Sequence, residues 1–339
     1  MDAGIQERMK KIPKAELHCH LGGSVSEMLL KRWAAARGES MAGGIHAPVP
    51  CTSLRQYLSC FDAILPFLQE EKALQEAARD VIRQGASENV IYMEVRFAPG
   101  LHCKNGLTEV EVCRAVLKGL AEGEKYYGVK SRAILCLMRG KDREYNERTI
   151  AAAEEFKGYG VGGIDLAGNE AAYAPGIYRK MFARAEKSGL PFTIHAGECG
   201  SAENIRQAVE MGARRIGHGI AAAKDESVRE LCRKEGVCLE MCPTSNLQTK
   251  AVEKIEDYPF LSLRREGIIT TVHTDNRTVS GTTLTNEWQL LSSAFSQIDD
   301  EMILEANIDA VNSAFISGEE KKRLTAQMRN APNPLFARI

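Results

Sequence analysis

AELHCHLGGS, residues 15–24, reads as a β-strand that runs into a turn. Alternation along a strand sends every second side chain to the same face, so His18 and His20 point the same way. Two neutral imidazoles side by side at a strand end are either a metal site or a chance pair. Gly22 and Gly23 follow, and they pose a second question: what the missing side chains leave room for.

Seven further runs of strand character lie downstream: VIYMEVRF (90–97), SRAILCLM (131–138), VGGIDLA (161–167), PFTIHAG (191–197), RRIGHG (214–219), VCLEMCP (237–243) and IITTVHT (268–274). Helical patterns separate many of them, among them 73–88, 107–128, 146–160, 203–213 and 227–236, several ending in the glycine that helix C-termini favour. Eight strands with intervening helices predict an α/β chain folded as a (β/α)8 TIM-type barrel, with extra helices inserted after strand 1. Periodicity alone also permits an open doubly wound sheet, but no GxGxxG follows the first strand to support a dinucleotide fold. We expect one barrel domain over residues 1–339, with 24–72 as a helical lid at the catalytic end. The basic run at 139–148 reads as a solvated loop, and the C-terminal tail as a final helix with an extended end.

Composition narrows the function classes. Hydrophobic residues make up 44% and charged residues 26%, enough apolar chain for a sizeable core. The formal net charge of −1 offers no basic surplus for nucleic acid or a membrane surface. Neither an N-terminal apolar segment nor a run long enough to span a bilayer is seen, so a cytoplasmic setting is expected. The 10 cysteines are scattered without a CxxC pair, which fits reduced thiols packed as small hydrophobes.

Barrel enzymes place their chemistry at the C-terminal ends of strands. In this chain those ends carry His18, His20 and Gly22, then Asp165 and Gly168, His195 and Glu198, His218, Glu240, and Asp275 with Asn276. Four of the 7 histidines thus fall on one rim; His273 lies just below it, and His46 and His102 lie elsewhere. Imidazole and carboxylate donors without thiolates favour a zinc-type ion, which lowers the pKa of a bound water toward ~7. His18, His20 and His195 can supply nitrogens and Asp275 an oxygen, with one Zn2+ per chain expected. Glu198 is placed to move protons, His218 to orient or deprotonate the water, and Glu240 to hold the tautomer of His218 from the neighbouring strand. IDLAGNE offers no lysine to bridge a second metal. GxSxG and HExxH are absent, and the PCxxC pattern of small zinc deaminases does not fit MCPTSN.

With these residues assembled, the chain resembles the adenosine deaminase family. The matching motifs are PKAELHCHL, GIDLAGNE, HAGE followed by GSAENI, RIGHG, LEMCPTSNLQT and the TDN of VHTDN, in family order over roughly residues 12–330. The resemblance implies zinc-dependent hydrolysis of adenosine and 2′-deoxyadenosine to inosines and ammonia, with a small purine nucleoside as the binding partner. It implies His18, His20, His195 and Asp275 as zinc ligands, Glu198 as the acid for purine N1, and His218 as the residue facing the attacking water. Gly168 would meet purine N3 through its N–H, His20 would border the substrate, and Leu58 and Phe61 would form an apolar gate. Three positions depart from the familiar pattern. Asn276 stands where an aspartate often contacts N7, and an amide can still donate there. His273 replaces an asparagine and is expected to be a buried support. Gly22 replaces the aspartate that contacts the ribose 5′-hydroxyl, which leaves two substrates open: adenosine itself, or 5′-modified adenosines. A barrel that binds nucleosides without catalysis would have lost site residues, and a nucleic-acid editor would need a basic stripe.

Overall fold

The computed structural model describes residues 3–41, 44–48, 51, 54–199 and 201–331. Its strands are β1 (Lys14–His20), β2 (Val90–Phe97), β3 (Lys130–Met138), β4 (Val161–Ala167), β5 (Thr193–Ala196), β6 (Arg215–His218), β7 (Cys238–Met241) and β8 (Ile269–Val272). All eight coincide with the predicted runs, the later four trimmed by one to three residues at their ends. They pair in parallel in the orders β1-β2-β3-β4 and β5-β6-β7-β8. Parallel bridges Ile164↔Phe192 and Cys19↔Asp275 join the two halves and close the ring. The expected barrel is the one observed.

Strands buried on both faces read as nearly continuous apolar runs, and β2 is buried at every position. The interior is nevertheless not the usual stack of branched aliphatics. His18, Glu94, Arg96, Asp165, Arg215 and Glu240 all project into fully buried positions.

Helices wrap the ring: α1 (Ala3–Lys11) precedes β1, and α2 (Glu27–Ala36), α3 (Leu54–Leu58) and α4 (Phe61–Ile64) fill the long β1–β2 connection. Next come α5 (Glu71–Ala86), α6 (Glu109–Tyr127), α7 (Arg143–Glu155), α8 (Arg179–Lys187), α9 (Ala202–Glu210) and α10 (Glu226–Lys234). The chain finishes with α11 (Pro243–Gln248), α12 (Phe260–Arg265), α13 (Leu284–Ala294), α14 (Asp300–Ser313) and α15 (Gly318–Arg329). The insertion is therefore helical as expected, although residues 42–43, 49–50 and 52–53 within it lie outside the described residues. So does the extended end of the tail beyond residue 331.

The basic run after β3 is a turn over 139–142, as expected, but not a loop from residue 143 on. Asp142 accepts a hydrogen bond from the Tyr145 N–H and caps α7, which then runs through Arg143–Glu155. The high charge of REYNER hid a good N-cap. No disulfide joins any pair among the described cysteines, and no described helix is long and apolar enough to cross a membrane.

The α5–α6 contact depends on two glycines. A Cβ at Gly119 would stand 2.2 Å from the Gln75 carbonyl oxygen, and one at Gly123 would stand 2.7 Å from Ile82 Cβ. Neither neighbour is the free end of a flexible chain. Gly119→Ala should thus force the helices apart and cost about 1–3 kcal/mol of stability, where alanine in an open helix interior would normally add about 1 kcal/mol. Urea unfolding of the variant beside the parent checks this.

Candidate active site

A cavity of about 300 Å³ opens at the C-terminal ends of the strands. His20, Gly22, Leu58, Phe61, Gly168, His195, Glu198, His218, Asp275 and Asn276 all border it. His18 lies just beneath, wholly buried. The predicted site residues are thus brought together, apart from Glu240, which sits deeper in the ring.

The centre is built from imidazoles. The ligating atoms of His18, His195, His218 and Asp275 lie within 4.8 Å of one another. His20 belongs to the same cluster: its Nε2 is 3.2 Å from His195 Nε2 and 3.4 Å from Asp275 Oδ1. Five candidate donors therefore surround one point, one more than the set expected from sequence. His18 Nε2 is buried with no hydrogen-bond partner, which a polar atom seldom tolerates without a ligand. A buried group of three histidines and an aspartate is the donor set of a divalent metal site.

Tautomers follow from what holds the opposite ring nitrogens. His18 Nδ1 donates to Glu240 Oε2 at 2.8 Å, and His195 Nδ1 donates to Asp165 Oδ1 at 3.0 Å. A carboxylate can only accept, so each Nε2 keeps its lone pair for the centre. Burial, reinforced by the positive charges of Arg96 and His195, pushes the His18 pKa down to about 4. Burial also pulls His20 well below its ordinary value. For His195 burial acts downward as well, but the Asp165 charge and hydrogen bond outweigh it and raise the pKa. Asp275 accepts a hydrogen bond from Ser245 Oγ at 2.6 Å. Burial works against its charge, yet His18 and its other histidine neighbours hold its carboxyl well below the usual range.

Glu240 does not serve His218 as expected. Its partners are His18, Arg96 Nη2 at 2.7 Å, Arg215 Nε at 2.7 Å and Thr193 Oγ1 at 2.9 Å. The reason is depth: Glu240 projects from within β7, whereas His218 is the last residue of β6 and has left-handed backbone. His218 Nδ1 instead meets the Asn246 amide at 3.0 Å, and Tyr258 OH donates to the other end of that amide at 2.9 Å. His218 and Asp275 both adopt left-handed backbone, at φ 63° and φ 59°. For non-glycine residues this costs roughly 1–2 kcal/mol each. At a strand end the turn redirects both side chains to the centre.

Several contributors escaped the sequence reading. Arg96 reaches Asp165 Oδ2 at 3.2 Å as well as Glu240, so one guanidinium bridges the two carboxylates that hold His18 and His195. His102 borders the cavity, its Nδ1 fixed to the Leu68 carbonyl at 2.9 Å, although it lies in a 3₁₀ turn and not at a strand end. His273 is buried as expected, against Thr271, Leu17 and Glu16, with no bond to the cluster.

The glycine question divides. A Cβ at Gly23 would fall 1.9 Å from Asn276 Oδ1, so this glycine makes room for Asn276. A Cβ at Gly22 would meet Phe61 and Leu65 at 3.6 Å and 3.7 Å, ordinary contact distances. Asn276 Nδ2 donates to Tyr57 OH at 2.9 Å, and Tyr57 OH also bonds Ser280 Oγ at 2.7 Å, which ties α3 to the segment after β8.

Arg215 and Arg96 overcome the opposing effect of burial and hold the Glu240 carboxyl well below its ordinary 4.5. Glu240→Gln would take the shared anion from two buried guanidiniums, leaving Arg96 only Asp165 and Arg215 only Glu94, at a cost of about 3–5 kcal/mol at neutral pH. The folded chain binds the Glu240 proton more weakly than the unfolded chain does. The stabilisation is thus present above pH 4.5 and is lost as the pH falls below it. Thermal unfolding of parent and variant should show a wide gap at pH 7 that narrows below pH 4.5.

Known proteins bear on this geometry. The family model for adenosine deaminase matches residues 13–331. The adenosine deaminase of Enterococcus faecalis is 42% identical over 333 residues, covering 96% of this chain and 98% of its own. The N6-methyl-AMP deaminase of Arabidopsis thaliana superposes with a TM-score of 0.85 at 26% identity, over 96% of this chain and 98% of that one. An adenine deaminase from Arthrobacter aurescens, at 24% identity, shares the fold with a TM-score of 0.83 over 94% of this chain and 98% of that one. The match runs from residue 13 to residue 331, the length of the barrel, and the chain belongs to the adenosine deaminase family.

Proposed function

We propose that this protein hydrolyses adenosine, and 2′-deoxyadenosine, to the corresponding inosine and ammonia. The observation that carries the reading is the convergence of His18, His20, His195, His218, Glu198 and Asp275 on one small cavity of nucleoside dimensions. The purine C6–N bond is broken by water, so the site must activate water and make C6 electrophilic.

We assign His18, His20, His195 and Asp275 to one divalent ion, with zinc as the ion. Such an ion lowers the pKa of a bound water and supplies a nucleophile near neutral pH. His218 is left out of the ligand set because its Nε2 stands 3.7 Å from Glu198 Oε2, between the cluster and the acid. With Nδ1 facing the Asn246 amide, its Nε2 is free to orient the attacking water. Glu198 gives its proton to ring N1. Gly168 lies at the cavity wall with φ 100°, and we assign its N–H to N3. Asn276 spends one amide hydrogen on Tyr57, and the other is assigned to N7. Helices α2–α4 act as the lid, since Leu58, Phe61 and Leu65 form one apolar wall of the cavity. A reducing, cytoplasmic setting suits barrel thiols such as Cys238, which hydrogen-bonds Thr271 at 3.5 Å.

Incubation with adenosine should release one ammonia per inosine, with about one metal per chain, and chelation should abolish turnover. Full activity in metal-free protein would sink the mechanism.

The surroundings of Gly22 favour a second substrate reading. The nearest neighbours of a Cβ there are carbons of Phe61 and Leu65, so a substituent lodged beside it meets an apolar wall. That suits 5′-deoxy- or 5′-methylthioadenosine. In Gly22→Asp, a charged hydrogen bond of about 1.5–3 kcal/mol would shift kcat/KM toward adenosine by about ten- to a hundred-fold. An unchanged ratio of adenosine to 5′-methylthioadenosine turnover removes the 5′ reading.

A further inference from the structure

We propose that Glu170 is the positioning residue for Glu198: its buried carboxylate, three residues past the end of β4, sets where the acid after β5 stands. The proposal rests on the reading of Glu198 as the proton donor.

Glu198 lies on no regular element. Strand β5 ends at Ala196 and α9 begins at Ala202, so residues 197–199 have no ladder to satisfy their amides. Glu170 supplies that partner. Its Oε1 accepts from the Gly197 N–H at 2.6 Å, and its Oε2 accepts from the Glu198 N–H at 2.9 Å and the Cys199 N–H at 3.1 Å. The Asn204 side chain on α9 donates to Oε1 at 2.8 Å. Three successive amides converging on one anion form a backbone nest, which fixes the path of a short segment.

The strand that leads into this segment is held by a cation. Arg139 Nη2 donates to the His195 carbonyl at 2.6 Å. The cation thus fixes where the turn begins and the anion fixes its course, with Glu198 the middle of the three residues whose amides Glu170 accepts. Gly197 has φ 74°, and a Cβ there would stand 2.5 Å from Ile205, so the bend has little freedom to take another shape. Glu170 does not border the cavity, so it acts on substrate only through what it holds.

Glu170→Gln tests this. The amide would turn N–H groups toward N–H groups and release the segment. His195 keeps its own anchors, Asp165 and Arg139, so metal content should stay at the parental value. Adenosine kcat should fall by about ten- to a hundred-fold while KM moves less than about three-fold, the signature of a displaced catalytic group. Glu170→Asp, which keeps the charge, should recover part of the loss. In a Glu198→Gln background, adding Glu170→Gln should change kcat by less than about two-fold, because both changes act through the same carboxyl. Additive losses, parallel loss of metal, or kcat within about two-fold of the parent would each overturn the proposal. If Glu170→Gln does not fold, Asn204→Ala is read by the same criteria, with a smaller fall of about three- to ten-fold expected. A parent chain inactive on adenosine would instead overturn the reading of Glu198 itself.

Discussion

One buried carboxylate organises the barrel. Glu240 projects from β7 and takes hydrogen bonds from His18 on β1, Arg96 on β2, Thr193 on β5 and Arg215 on β6. A charge withdrawn from water is tolerated only when it is paired and hydrogen-bonded, so none of these partners can leave independently. Arg96 extends the network to Asp165 and thence to His195, while Arg215 pairs with Glu94 at 2.7 Å. Two of the imidazoles at the centre are thereby oriented by the same guanidinium. The carboxylates Glu94, Asp165 and Glu240 outnumber Arg96 and Arg215 by one, and Asp275 adds another negative charge above them. A divalent cation is the natural complement to that surplus.

The outline of this arrangement was legible in the sequence. Strand alternation and barrel geometry together say which residues share a face and which end of a strand holds chemistry. That sufficed for His18, His20, His195, His218 and Asp275. It could not say which layer a side chain occupies or which neighbour it meets around the ring, so Glu240 was given the wrong histidine. Arg96 stayed hidden inside VIYMEVRF, because a run that reads as apolar strand does not reveal that one member carries a buried cation. Asn246 and Glu170 stood in recognised motifs, but their roles arise from neighbours on other elements. His102 and the first turn of α7 were missed for local reasons: a 3₁₀ turn instead of a strand end, and a capping aspartate amid many charges.

The two sides of the cavity are held in different ways. The polar side rests on strand ends and buried ionic contacts. The apolar side hangs on the β1–β2 insertion, attached through single hydrogen bonds such as Tyr57 to Asn276, Ala47 N–H to the Val279 carbonyl and His46 to the Thr278 carbonyl. All three land on the segment that follows β8, next to Asp275. The insertion thus docks on the loop that also carries the Asp275 carboxylate, which couples one wall of the pocket to its floor.

The bridge from Cys19 to Asp275 has a temporal side. Asp275 N–H donates to the His18 carbonyl at 2.8 Å and His20 N–H to the Asp275 carbonyl at 2.7 Å, while Thr274 and Glu16 bond across 258 residues of chain. The seam that closes the ring is also where the first and last donors of the centre meet. During synthesis the first histidines emerge early and wait for their aspartate until nearly the whole barrel has been made. An unfinished chain therefore presents imidazoles without the assembled centre, which comes together only once the ring is shut.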